Sequence, residues 1–169
     1  KTVRGLMDSP ARRAIPKRLL DGNSAVWVLI ESGDAKVDGA AETTLRNQLR
    51  KMEGTLEMPT TDDLRGDAYF LEETKVPLRL SFAIVRIGRD DPAEHLFVSM
   101  LLSSEEGLNA FEEPIAIPIF GRGRSYYALV GRGINADTIE ENCRFLVGAC
   151  SCQVKQENPG ADMLLAVNW

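Results

Sequence analysis

The chain has 169 residues, 44% of them hydrophobic and 27% charged, which suits one soluble globular domain with a core of its own. A net charge of -5 makes nucleic acid an unexpected partner. No apolar run approaches the ~20 residues of a membrane span, and no stretch reads as a signal peptide.

Acid is concentrated in Glu53–Glu73, whereas Lys1–Arg18 is basic with only Asp8 against it. The first residue is Lys1 rather than Met, so a further N-terminal portion is expected upstream. The three cysteines, Cys143, Cys150 and Cys152, are too few for a disulfide scaffold. His95 is the only histidine, which argues against a His-rich zinc site or a His-based triad. Chemistry based on carboxylates or thiols stays open.

Ser9 is a good N-cap, with Pro10 at the first helical position. The predicted helix, Pro10–Leu20, carries Ile15, Leu19 and Leu20 inward, with Arg12, Arg13, Lys17 and Arg18 mostly facing water. Pro16 lacks a backbone donor and should kink or shorten it. After Asp21-Gly22-Asn23, the run Ala25–Ile30 (AVWVLI) reads as a strand covered on both faces. A helix from about Asp38 or Gly39 to Met52 follows, with Leu45, Leu49 and Met52 on its core face. Glu53–Pro77 has no sustained period and reads as an irregular insertion.

Leu78–Ile87 reads as a strand. Asp91 then caps a helix with Pro92 first, and Glu94 is placed to reach back as in a capping box. Ala93, Leu96, Phe97, Met100 and Leu101 share its inner face. Ser103–Glu113 is a connection holding Leu108 and Phe111. Ile115–Phe120 and Ser125–Val130 form a strand pair around Gly121-Arg122-Gly123-Arg124. Asn135 or Asp137 caps a last helix to about Val147, with Ile139, Cys143, Leu146 and Val147 inward. Residues 163–169 read as a short final strand. The expected class is α/β, a mixed sheet with helices on both faces and a C-terminal hairpin plus helix. One domain spans 1–169, with an insertion at 53–77 and an extension at 148–169.

Pro114, Phe120, Gly123 and Gly131 stand in the order and near the spacing of the thioredoxin fold's last strands, and Asp91-Pro92 resembles its loop into the third helix. The chain therefore resembles the thioredoxin-like proteins from about Ser9 to Val147. The resemblance implies a cis peptide before Pro114 and an active-site loop at Ser32, Gly33, Asp34 and Asp38. It also implies that the fold's first strand lies upstream of Ser9 or is absent. Redox-active members carry Cys-x-x-Cys in that loop; here it reads SGDAKVDGAAE, so dithiol exchange has no thiols there. The chain also resembles an uncharacterised family of bacterial proteins with SPAR, AVWVLIESGD, FGRGR and CSCQVK…NPG, which implies no activity.

Other residues carry chemistry of their own. Cys150-Ser151-Cys152 places two thiols one residue apart, able to close a strained, readily reduced disulfide. They could also hold Cu(I) with Met163 or Cys143 as third donor. The alternative is two incidental thiols past a helix C-terminus, where the dipole disfavours thiolate and Lys155 offsets this in part. Cys143 lies ~10 Å from Cys150 along a continuous helix, too far for a disulfide, and reads as core. Arg122, Arg124 and Arg132 put cations near exposed amides, fitting a phosphate, a carboxylate or a partner; the alternative is a solvated turn. Glu31, Asp34 and Asp38 could bind a cation or a basic segment of a partner; the alternative is helix N-terminal charge complementarity. Trp27 reads as core, His95 as surface or packing, and Trp169 as a possible interface anchor.

Together these lead to the expectation of a thioredoxin-like protein without the dithiol site, a protein-binding or assembly module in a bacterial envelope-associated system. Its partner is another protein or a second copy, and no cofactor, nucleic acid or enzymatic activity is called for. The alternative is a thiol redox or copper-handling protein using Cys150 and Cys152.

Overall fold

The computed structural model describes residues 8–57, 79–148 and 160–169. The elements follow the expected order: α1 (Pro10–Leu20), β1 (Asn23–Glu31), α2 (Ala35–Thr55), β2 (Arg79–Gly88), α3 (His95–Leu102), β3 (Ile115–Phe120), β4 (Arg124–Ser125), β5 (Leu129–Val130) and α4 (Ala136–Val147). No strand precedes β1 among the described residues.

The sheet is mixed, in the order β2-β1-β3-β4, with β5 also on β3. β1 runs parallel to β2 (Val26 opposite Ala83) and antiparallel to β3 (Val26 opposite Ile119). Its central place explains its composition: Ala25–Ile30 are all fully buried, as a strand covered on both faces requires. Val26, Val28 and Ile30 face one layer with Ile115, Ile117 and Ile119, packed by Ala11, Ile15 and Leu19 of α1 and Phe97 and Leu101 of α3. Trp27 and Leu29 face the other, against Leu45, Leu49 and Met52 of α2 and Ile139 and Cys143 of α4. The class is α/β, with helices on both faces.

Several expectations change in detail. Pro16 does not break α1, and it is itself buried. Leu20 faces outward, whereas Arg12, expected in water, is buried with its guanidinium 5.2 Å from the Phe97 ring centre. Its long stem covers apolar surface. Burial pulls its pKa below the ordinary value, and the charge of Glu94 offsets part of this.

Glu94 does not close a capping box on its own helix. Asp91 accepts from the Ala93 amide, and the helix starts only at His95, leaving Leu96 exposed. The Glu94 carboxylate instead accepts from the Ser9 hydroxyl at 2.6 Å and the Ala11 amide at 2.7 Å. It caps α1 from 83 residues away, a partner that sequence spacing cannot reveal.

The return strand expected over Ser125–Val130 is broken. Tyr126 donates its amide to the Pro118 carbonyl, so that edge of Pro118 faces the return segment. Proline has no N–H to offer there, and the ladder loses a bond at its centre. Tyr126 turns onto Phe145 of α4, with ring centres 4.1 Å apart and planes at 8°.

Residues 163–169 form no strand. A single bridge joins Asp162 to Arg124, and Met163 enters the core beside α1 and α3. No peptide bond among the described residues is cis, so the bond before Pro114 is trans. The Pro114 carbonyl accepts from the Gly131 amide at 2.9 Å.

Candidate binding groove

β1 and β2 end side by side at Glu31 and Gly88, and β3 begins beside them at Ile115. The crevice beyond the carboxyl ends of such strands is the ordinary ligand position in open α/β sheets. Here it is framed by the loop after β1, the first turn of α2, the segment before β3 and the short helical turn after β5.

The loop Ser32–Asp34 is held by two aspartates. Asp34 caps α2, accepting from the Lys36 amide at 2.9 Å and the Val37 amide at 3.2 Å. α2 therefore starts at Ala35, earlier than the Asp38 or Gly39 expected. Asp38 is buried and folds back onto the loop. It accepts from the Ser32 amide at 2.8 Å, the Ser32 hydroxyl at 2.7 Å and the Gly33 amide at 3.0 Å. Most of the donors that could stabilise an incoming anion or thiolate are thus occupied by the chain's own carboxylates. Glu31, expected with this cluster, turns away to Arg86, raising the pKa of that guanidinium.

Two adjoining hollows open on this frame. One, about 550 Å³, is lined by Ser32, Asp34, Val37, Ala110, Glu112, Glu113 and Pro114. The other, about 530 Å³, shares Val37, Glu113 and Pro114 and adds Ala40, Ala41, Phe111, Val130, Arg132 and Ile134. Val37 and Phe111 are each 45% exposed, so two large apolar side chains meet solvent along one groove. Gly131 makes its wall possible: its φ is +49°, and a β-carbon there would lie 3.1 Å from Glu113. Arg89 braces the far side of the segment, donating to the Glu113 carbonyl at 3.1 Å.

Ser32 and Asp34 line a hollow with Pro114, whereas buried Asp38 lines neither hollow. Phe111, Glu112 and Val37 were missed as site residues. The available signal was an aromatic just before Glu-Glu-Pro in a largely polar connection.

The arginines do not form one site. Arg124 pairs with Phe120 and binds Asp162 at 3.0 Å, under the chain's last residues. Arg132 follows Val130, which pairs with Ile115 at the other end of β3, ~17 Å away along the strand. Only Arg132 lines the groove.

Cys150 and Cys152, with Lys155, lie outside the described residues. Cys143 is fully buried, and burial, then Glu140 and Glu53, push its thiol up to about 12. Met163 is in the core. Neither of the third donors expected for a Cu(I) site is exposed. No metal-binding group of His, Cys, Asp and Glu occurs among the described residues, and none of their helices is long and apolar enough to cross a membrane. His95 is on the surface, Trp27 is core, and Trp169 is 40% exposed. Comparison with protein-family models, curated proteins and solved structures finds no match to this chain.

Proposed function

We propose that the chain is a thioredoxin-like binding module that has lost dithiol chemistry and holds another protein in the groove beside Pro114. The observation that carries the proposal is the pair Val37 and Phe111, each nearly half in solvent, lining one hollow of about 530 Å³ with the buried Pro114 beside a second of about 550 Å³. Exposed apolar side chains scattered singly need no explanation, but two lining one groove fit an interaction site. The sheet order and the loop after β1 support the thioredoxin-like reading. The occupied amides of that loop support binding over thiol chemistry.

Selection of a random peptide library on the immobilised protein tests this reading. Peptides retained by the wild-type chain should be released by Val37→Asp and by Phe111→Ser. Both substitutions are at exposed positions, so folding should survive them, which circular dichroism checks. Peptides held equally by wild type and both variants would place binding elsewhere. Efficient reduction of a protein disulfide by the purified chain would contradict the loss of dithiol chemistry.

A further inference from the structure

We infer that the groove selects an extended partner segment in which an apolar residue is flanked by lysine or arginine. This rests on the groove being a binding site and adds the chemical class of what enters it.

The argument is one of charge and of donor supply. The charged residues lining the two hollows are Asp34, Glu112, Glu113 and Arg132. Three are carboxylates, and they gather at one end with Ser32 and Pro114. Arg132 lines only the other, more apolar hollow, where Glu113 is the one carboxylate. Among the described residues no ion pair engages the carboxylates of Asp34, Glu112 or Glu113. Elsewhere the chain neutralises its acids locally: Glu31 and Glu42 bind Arg86, and Glu140 binds Arg144.

Most of the donors at the start of α2 are used up. The amides of Ser32, Gly33, Lys36 and Val37 all point to Asp34 or Asp38. Arg89, at the end of β2, points to the Glu113 carbonyl. That end of the groove therefore offers acceptors and negative charge over an apolar floor. An acidic segment meets repulsion there, with most of the amides at the helix start already bound. A neutral apolar segment gains only the floor. A cationic side chain beside an apolar anchor gains both, and the carboxylates set which partner is accepted more than how tightly it binds.

The test uses the full chain and short synthetic peptides with a central leucine or phenylalanine, flanked by lysine, serine or glutamate. Lysine-flanked peptides should bind roughly tenfold tighter than serine-flanked ones at low salt, from two or three solvent-exposed ion pairs, and the advantage should shrink as salt rises. Glutamate-flanked peptides should bind weakest. The double substitution Glu112→Lys, Glu113→Lys should invert that order without changing the fold. Equal binding of all three series, lost on Phe111→Ser, would overturn the charge inference and leave the groove reading intact. Failure of every series to bind wild type would overturn both. Concentration-dependent self-association abolished by Phe111→Ser would overturn the inference in favour of a second copy as occupant.

Discussion

Asp38 carries the largest local responsibility of any single side chain near the groove. Its two oxygens hold the Ser32 and Gly33 amides and the Ser32 hydroxyl. Asp38→Ala leaves those donors without their acceptor and should cost about 1–3 kcal/mol. Hydrogen exchange should show faster exchange at the Ser32 and Gly33 amides than in wild type. Unchanged exchange would mean that the loop is held by something else.

Cys143 gives a pH-dependent counterpart. Its folded pKa is raised to about 12, against roughly 8.5 for an unfolded thiol. Below ~8.5 both states keep the proton and nothing changes. Between that value and about 12 the unfolded chain releases a proton that the folded chain retains. Stability therefore falls as pH rises, by up to ~1.4 kcal/mol per pH unit. Cys143→Ala should flatten the decline relative to wild type in denaturant titrations at several alkaline pH values. Parallel slopes for the two proteins would refute the assignment.

Between elements, the bond from Glu94 to the start of α1 is the most informative. It ties the segment after β2 to the first helix and places a negative charge beside buried Arg12. Glu94→Ala should destabilise the fold by about 1–3 kcal/mol through unsatisfied donors alone. Combining it with Ser9→Ala should be non-additive, because both remove the same bond. Additive losses in thermal unfolding would show that the two residues act separately.

What the sequence disclosed at this scale has a physical pattern. β1 was legible because a short unbroken apolar run rich in β-formers and bounded by turn residues fits a strand buried on both faces. α1, α2 and α4 were legible from helical periodicity. The start of α2 was legible only approximately, since Asp34 caps it and the helix begins at Ala35 rather than at Asp38 or Gly39. The Glu94 contact was not legible, because Asp91-Pro92 and an acid at capping-box spacing look identical whether that acid turns back to its own helix or across to another. The break between β4 and β5 was written in Pro118, but its meaning depends on which edge the missing N–H faces.

At the scale of the whole molecule, residues 160–165 complete the layer formed by α1 and α3. The Met163 amide donates to the Gly123 carbonyl at 2.8 Å, and Leu165 packs against the same core. Gly123 has a φ of +95°, and a β-carbon there would lie 2.9 Å from Leu165. Gly123→Ala combines backbone strain with a clash and should lower stability by more than ~1 kcal/mol. Equal melting temperatures for variant and wild type would show that this packing is dispensable. In the GRGR turn, Gly123 and Arg124 hold Asp162 and Met163 in place. The groove was half legible. Its loop and proline were singled out in the sequence, while Phe111 and Val37 come to line one hollow only when β1 and β3 lie side by side.

The most direct measurement is amide hydrogen exchange of the full chain, with and without a peptide recovered from library selection. Protection confined to residues 32–37, 111–114 and 130–132 is the predicted result. Protection along β2 or at Arg122–Arg124, with the groove unchanged, would contradict the assignment of this groove as the binding site.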